Sequence, residues 1–225
     1  MGQKPKRSDS QLERDVREEL KWDTRVKDGD VVVAVKDGTV ALTGTVDSWA
    51  SRLAAQEAAH RVLGVLDVAN DIEVRLPGTV LRTDAEIAHS VRQTLEWDIL
   101  VPHQRIHSTV SNGVVLLEGS VDYWSQCDDA SRAIRNLAGV REVRNLLAVD
   151  PKAPRASSEI IRGAIERALE RHAEHSAKRV QITISDGTVV LTGEVPSWAE
   201  RVAVEGAVRG TPGVWRVESQ LRIHS

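Results

Sequence analysis

The sequence predicts an α+β chain of three tandem α-β-β-α-β units, each a three-stranded mixed sheet covered on one face by two helices. Three observations carry this. First, a thirteen-residue stretch, Asp37-Gly38-Thr39-Val40-Ala41-Leu42-Thr43-Gly44-Thr45-Val46-Asp47-Ser48-Trp49, recurs from Asn112 to Trp124 and from Asp186 to Trp198. Gly38 to Gly113 is 75 residues and Gly113 to Gly187 is 74, a regular period that marks repeated structural units. Second, each copy places Asp-Gly or Asn-Gly between alternating apolar runs, the strongest short hairpin signal. Third, an apolar stripe of helical period precedes each hairpin, and a Trp-opened helix of small residues follows it.

The first helix of each unit shows as Leu12, Val16, Leu20, then Ile87, Val91, Leu95, then Ile161, Ile165, Leu169. Ser8-Asp9-Ser10, Thr83-Asp84 and Ser157-Ser158 stand where capping side chains belong. Trp22 and Trp97 follow the stripe by two residues, off its face, and are candidate surface contacts. The first strands alternate around Val31, Val33 and Val35 and their equivalents. The turns need positive φ at Asp37-Gly38, Asn112-Gly113 and Asp186-Gly187.

In the second strand, Val40, Leu42, Gly44 and Val46 share the core face, and the copies agree. A glycine on a core face three times (Gly44, Gly119, Gly193) predicts close approach of a helix backbone, with a β-bulge as the rival reading. Trp49, Trp124 and Trp198 open the second helix and are expected to close the core. Small inward residues such as Ala55, Ala58 and Ala59 continue it, and Gly64, Gly139 and Gly213, each fifteen residues after its Trp, are expected to stop it. A last strand follows each stop. The expected organisation is a disordered tail at 1–8, domains at 9–76, 83–150 and 157–225, and linkers at 77–82 and 151–156.

Composition narrows function. The chain is 41% hydrophobic and 28% charged, which is globular rather than disordered. A net charge of −3 with no basic stripe argues against a nucleic-acid partner. Cys127 is alone, so it forms neither an intramolecular disulfide nor a thiolate metal site. Met1–Ser10 is charged and lacks the apolar segment of a secretory signal. The expected location is therefore cytoplasmic, with the periplasm the alternative if a leader is missing.

No reactive group recurs. Asp37, Asn112 and Asp186 share one position, and an Asn cannot do the work of a catalytic Asp, so the position is a turn. No phosphate-loop pattern occurs. His103 with His107, and His172 with His175, have metal-ligand spacings but no recurring Cys or carboxylate partner. The expectation is a chain with no catalytic residue, metal or other cofactor. Trp215, found only in the third unit, is expected to be exposed or to lie at an interface between units. The outward sheet faces are half apolar and offer a second docking surface.

The D/N-G-x-V-x-L-x-G-x-V motif, the Trp-opened helix and the later Gly-Val resemble the BON domain (bacterial OsmY and nodulation) family, in three copies over nearly the whole chain. The resemblance implies the same α-β-β-α-β order, no catalytic residues, and roles in envelope stability, osmotic stress and phospholipid-surface binding. The function expected is a non-catalytic tandem binding or scaffold protein whose partner is a phospholipid membrane surface or a protein. A cytoplasmic protein-binding adaptor or holdase-like chaperone is the alternative.

Overall fold

Helix α1 (Asp9–Trp22) starts where Ser8 permits it. The Ser8 hydroxyl accepts from the Gln11 N–H at 3.3 Å, and the Gln11 side chain accepts from the Ser8 N–H at 3.1 Å, a reciprocal capping box. Leu12, Val16 and Leu20 are buried along one side, as their four-residue spacing requires. The computed structural model describes residues 7–27, 29–78, 82–150, 157–172 and 180–223, and of 169–172 the backbone alone.

The hairpin β1 (Val31–Lys36) and β2 (Thr39–Val46) pairs one to one from Val31↔Gly44 to Lys36↔Thr39. Its turn has φ of 51° at Asp37 and 78° at Gly38, the left-handed pair of a tight hairpin. Asp9 locks this turn to the helix: its carboxylate accepts from the N–H groups of Asp37 (2.8 Å) and Gly38 (3.0 Å). Helix α2 (Trp49–Arg61) crosses the sheet and buries Ala54, Ala55, Ala58 and Ala59. Strand β3 (Asp67–Val74) returns parallel to β2, which becomes the central strand.

The second repeat contains α3 (Asp84–Trp97), a 3-10 turn at His103–Arg105, β4 (Ile106–Ser111), β5 (Val114–Val121) and α4 (Trp124–Ile134). Asp84 grips the Asn112-Gly113 turn as Asp9 grips the first. The last strand is broken into β6 (Glu142–Asn145) and β7 (Ala148–Val149), both parallel to β5. At the break Leu147 turns into the core while Leu146 faces solvent. The third repeat contains α5 (Ser158–His172), β8 (Val180–Ser185), β9 (Thr188–Val195), α6 (Trp198–Arg209) and β10 (Arg216–Ile223), again with the second hairpin strand in the middle. By packing, the chain divides into two compact units: residues 1–77 with 196–199 and 223–225, and residues 78–195 with 200–222.

Two expectations need correction. The core-face glycine does not make room for a helix, and no bulge interrupts the ladder. A Cβ on Gly44 would collide with the backbone carbonyl oxygen of Asp30, and Gly44 has φ of +130°, open only to glycine. Gly119 meets the Arg105 carbonyl in the same way. The residue that leads into the neighbouring strand, not the helix, demands the glycine. Nor do Gly64, Gly139 and Gly213 stop the helices, which already end at Arg61, Ile134 and Arg209. These glycines sit further on, at φ of 92–97°, in the turn that leads into the last strand. That turn lies against the hairpin turn: Leu66 N–H donates to Gly38 O at 2.9 Å, and Arg141 N–H to Gly113 O at 2.9 Å.

Candidate functional site

Trp22 and Trp97 close α1 and α3, two residues beyond the last buried stripe position. Two residues turn a helix by about 200°, so each indole faces away from the core, 83% and 79% exposed. The chain then leaves the helix at Asp23 or Asp98, both in extended conformation. In the second repeat the Asp98 carboxylate accepts from Leu100 N–H at 3.0 Å, and its carbonyl accepts from Val101 N–H at 3.1 Å. This tight turn buries Val101 and throws Ile99 (96% exposed) and Leu100 (59%) outward beside Trp97. Three large apolar side chains within four residues thus face solvent at one tip. Isolated exposed apolar residues are ordinary, but a cluster of this kind marks a contact surface.

The first repeat uses the same turn differently. Thr24 and Arg25 replace Ile99 and Leu100. Arg25 binds Asp23 at 2.8 Å and Glu57 at 3.0 Å; Arg61 binds Glu19 at 2.6 Å and Asp23 at 3.0 Å. The Arg25 hydrogen bond, working with Arg61 against the opposing effect of burial, holds the Asp23 carboxyl well below the usual range. This network ties the end of α1 to α2 and leaves Trp22 as the apolar side chain at that tip. The second-repeat tip has acidic neighbours instead, Glu96 and Asp98.

The helix-opening Trp49, Trp124 and Trp198 are half-buried rather than sealed in the core. Trp124 leans on the core of its own repeat, and its other neighbour is the Arg209 guanidinium, 5.5 Å from the ring centroid. Arg52 lies over Trp49 at 5.1 Å. In the first unit Trp198 stacks on His60 with centroids 4.0 Å apart. Trp215 is half-buried and covers the Gly187 turn, where Leu66 covers Gly38 in the first repeat. His103 lies in the 3-10 turn and His107 on an outward strand position; His175 and the His172 side chain lie outside the described residues. The Cys127 thiol is buried against the core. Burial, aided by the charge of Asp128, pushes it up to about 11, so it is an unreactive thiol at neutral pH.

Two features escape single-residue inspection of the sequence. Asn70 on β3 donates to Arg52 O (3.2 Å) and Gln56 Oε1 (3.1 Å), stapling the last strand to α2. Asn145 repeats this with Cys127 O (2.8 Å) and Ser131 Oγ (2.7 Å). Their recurrence two residues after Val68 and Val143 was the available signal. The run Ile99-Leu100-Val101, apolar where the first repeat reads Thr-Arg-Val, was the signal for the second-repeat tip. In the third repeat, Ala168, Gly206 and Gly210 occupy the places of Glu19, Glu57 and Arg61. A groove of about 570 Å³ opens there between α5 and α6, with Arg167 in its lining. Among the described residues, no three His, Cys, Asp or Glu side chains gather as a metal site would require.

Comparison with known proteins bears on the repeat. The sequence profile of the BON domain matches residues 8–75, 83–151 and 157–225. The chain is similar to "Osmotically-inducible protein Y" of Escherichia coli (strain K12), 30% identical over 141 residues, covering 61% of this chain and 70% of that protein. Among solved structures it overlaps the C-terminal domain of CdsD, the structural protein of the Type III secretion system of Chlamydia trachomatis. That overlap covers 100% of both chains at 12% identity, with a TM-score of 0.26. A second CdsD structure gives 13% identity and a TM-score of 0.25, covering 94% of this chain and 91% of that one. Overlaps with TM-scores this low carry no weight for fold or function.

Proposed function

This chain belongs to the BON domain family, and from that premise we propose that it is a non-catalytic tandem binding or scaffold protein acting at a phospholipid surface. Its role on this reading is in osmotic stress and envelope stability, in keeping with the osmotically inducible relative. The observation that carries the lipid contact is the exposed Trp97, Ile99 and Leu100 at one tip, with Trp22 at the equivalent place one repeat earlier. An indole with aliphatic neighbours suits the boundary between headgroups and acyl chains. Full burial of each large apolar side chain contributes about 1.5–3 kcal/mol, so one tip binds weakly and two on one chain gain through effective concentration.

Flotation with vesicles of phosphatidylethanolamine and phosphatidylglycerol tests this. The full chain is expected to float, and Trp97→Ser with Ile99→Ser and Leu100→Ser to cut binding by about tenfold or more. A chain that stays at the bottom of the gradient with every vesicle composition sinks the lipid reading. One observation favours a second reading: Glu96 and Asp98 flank the second-repeat tip and repel anionic headgroups. A protein partner presenting an apolar pocket with a basic rim fits that tip, and the adaptor reading predicts capture of such a partner by the full chain but not by the triple variant.

A further inference from the structure

Two indole contacts in this chain use the same pair of repeat positions. In the second unit the partner of Trp124, first residue of α4, is Arg209 in the last turn of α6. In the first unit the partner of Trp198, first residue of α6, is His60 in the last turn of α2. Arg209 lies eleven residues after Trp198, and His60 lies eleven residues after Trp49. His60 and Arg209 are therefore equivalent, as Trp124 and Trp198 are. In both cases a helix-opening Trp of one repeat meets the eleventh following position on the second helix of another.

The chemistry suits the pairing. An indole is the best aromatic face for a cation, and it stacks equally on a flat imidazole. A basic side chain in a helix's last turn is favoured by the helix dipole. At 1.5 Å per residue the two positions are about 16 Å apart along the helix, at opposite ends. A repeat can thus offer its Trp to one neighbour and its cation to another, the head-to-tail form of association. Arg209 is also aimed. Glu205 binds Arg201 at 2.9 Å and Arg209 at 3.6 Å, so the guanidinium over Trp124 is held from behind. Burial alone would raise the Glu205 carboxyl, but the hydrogen bond from Arg201, with Ser219 and the charge of Arg209 behind it, holds it low.

We propose that the helix-opening Trp of the second and third repeats, and the side chain eleven residues after the helix-opening Trp in the first and third, are the two halves of a repeat-to-repeat docking surface, the partner of Trp124 and of Trp198 being another BON repeat of the same chain. On this account Trp124 and Trp198 couple repeats, a role distinct from fold definition and from the exposed Trp22 and Trp97. Glu205 is a positioning residue for the Arg209 half.

The test uses the full chain labelled with 5-fluorotryptophan, its six ¹⁹F resonances assigned by single Trp→Phe changes. Arg209→Ala is expected to move the Trp124 resonance toward the solvent-exposed position of Trp22 and Trp97. Glu205→Ala should move it the same way by less, and Arg209→Lys should largely restore it. His60→Ala should move the Trp198 resonance. An unmoved Trp124 resonance in Arg209→Ala, or an unmoved Trp198 resonance in His60→Ala, overturns the proposal. So does a common displacement of all six resonances, which reports general loosening rather than loss of one contact.

Discussion

A single added methyl group distinguishes the residues that specify this fold from those that decorate it. Gly44→Ala places a Cβ against the Asp30 carbonyl at a φ closed to alanine. The expected loss is about 3–4 kcal/mol, measured as a drop in thermal midpoint. Asn145→Ala removes the donors to Cys127 O and Ser131 Oγ and the acceptor of the Leu147 N–H, 3.0 Å from Asn145 Oδ1. About 2 kcal/mol is expected to go with it, and Asn145→Asp is not expected to restore it, because a carboxylate has no N–H to give. The glycine was legible because it recurs against the alternation of its strand. Its reason was not, since the Asp30 carbonyl comes from fourteen residues earlier in the chain. Asn70 and Asn145 stayed hidden for a related cause: an Asn in a strand signals nothing until the helix it staples is in place.

At the scale of elements, the helix pairs of the first and third repeats are joined in opposite ways. Charges bridge α1 and α2, whereas Ala168 in α5, Gly206 in α6 and Gly210 just after α6 stand at the corresponding places. Gly206 lies inside α6, and an added Cβ there meets nothing within 4 Å. Gly206→Ala is therefore expected to raise stability by about 0.5–1 kcal/mol, read by urea unfolding. The α1–α2 clamp predicts an acid response. The folded-state value of Asp23 is depressed, so its contribution is present above the unfolded carboxylate value and lost as pH falls below about 4. The thermal midpoint of the native chain should fall more steeply through that window than that of Asp23→Asn; parallel slopes would show that the clamp contributes little. Element order and type were legible from periodicity, apart from the break in the last strand of the second repeat. The ends of the second helices were not, because Gly64 and its equivalents belong to a later turn whose purpose is to meet the hairpin.

For the molecule as a whole, three copies of one fold carry different surfaces on the same frame. The apolar tips lie at Trp22 and around Trp97, while Trp124 and Trp198 are engaged within the units. If both tips bind one vesicle, Trp22→Ser alone should weaken flotation severalfold. Together with Trp97→Ser it should weaken it by more than about tenfold, because the second contact acts at high effective concentration. Equal loss from the single and double variants would show that one tip does the binding. The amino-acid sequence by itself determined the repeat, the element order, the hairpin turns and the core stripes. These follow from local rules: backbone φ at Gly and Asn, side-chain period in helix and strand, and caps a few residues away. The tertiary structure decided which carbonyl excludes a Cβ at Gly44, which helix Asn70 staples, which way Ile99 points and what meets each indole. Those outcomes depend on atoms brought together from distant parts of the chain, and no local pattern encodes a neighbour that folding alone supplies.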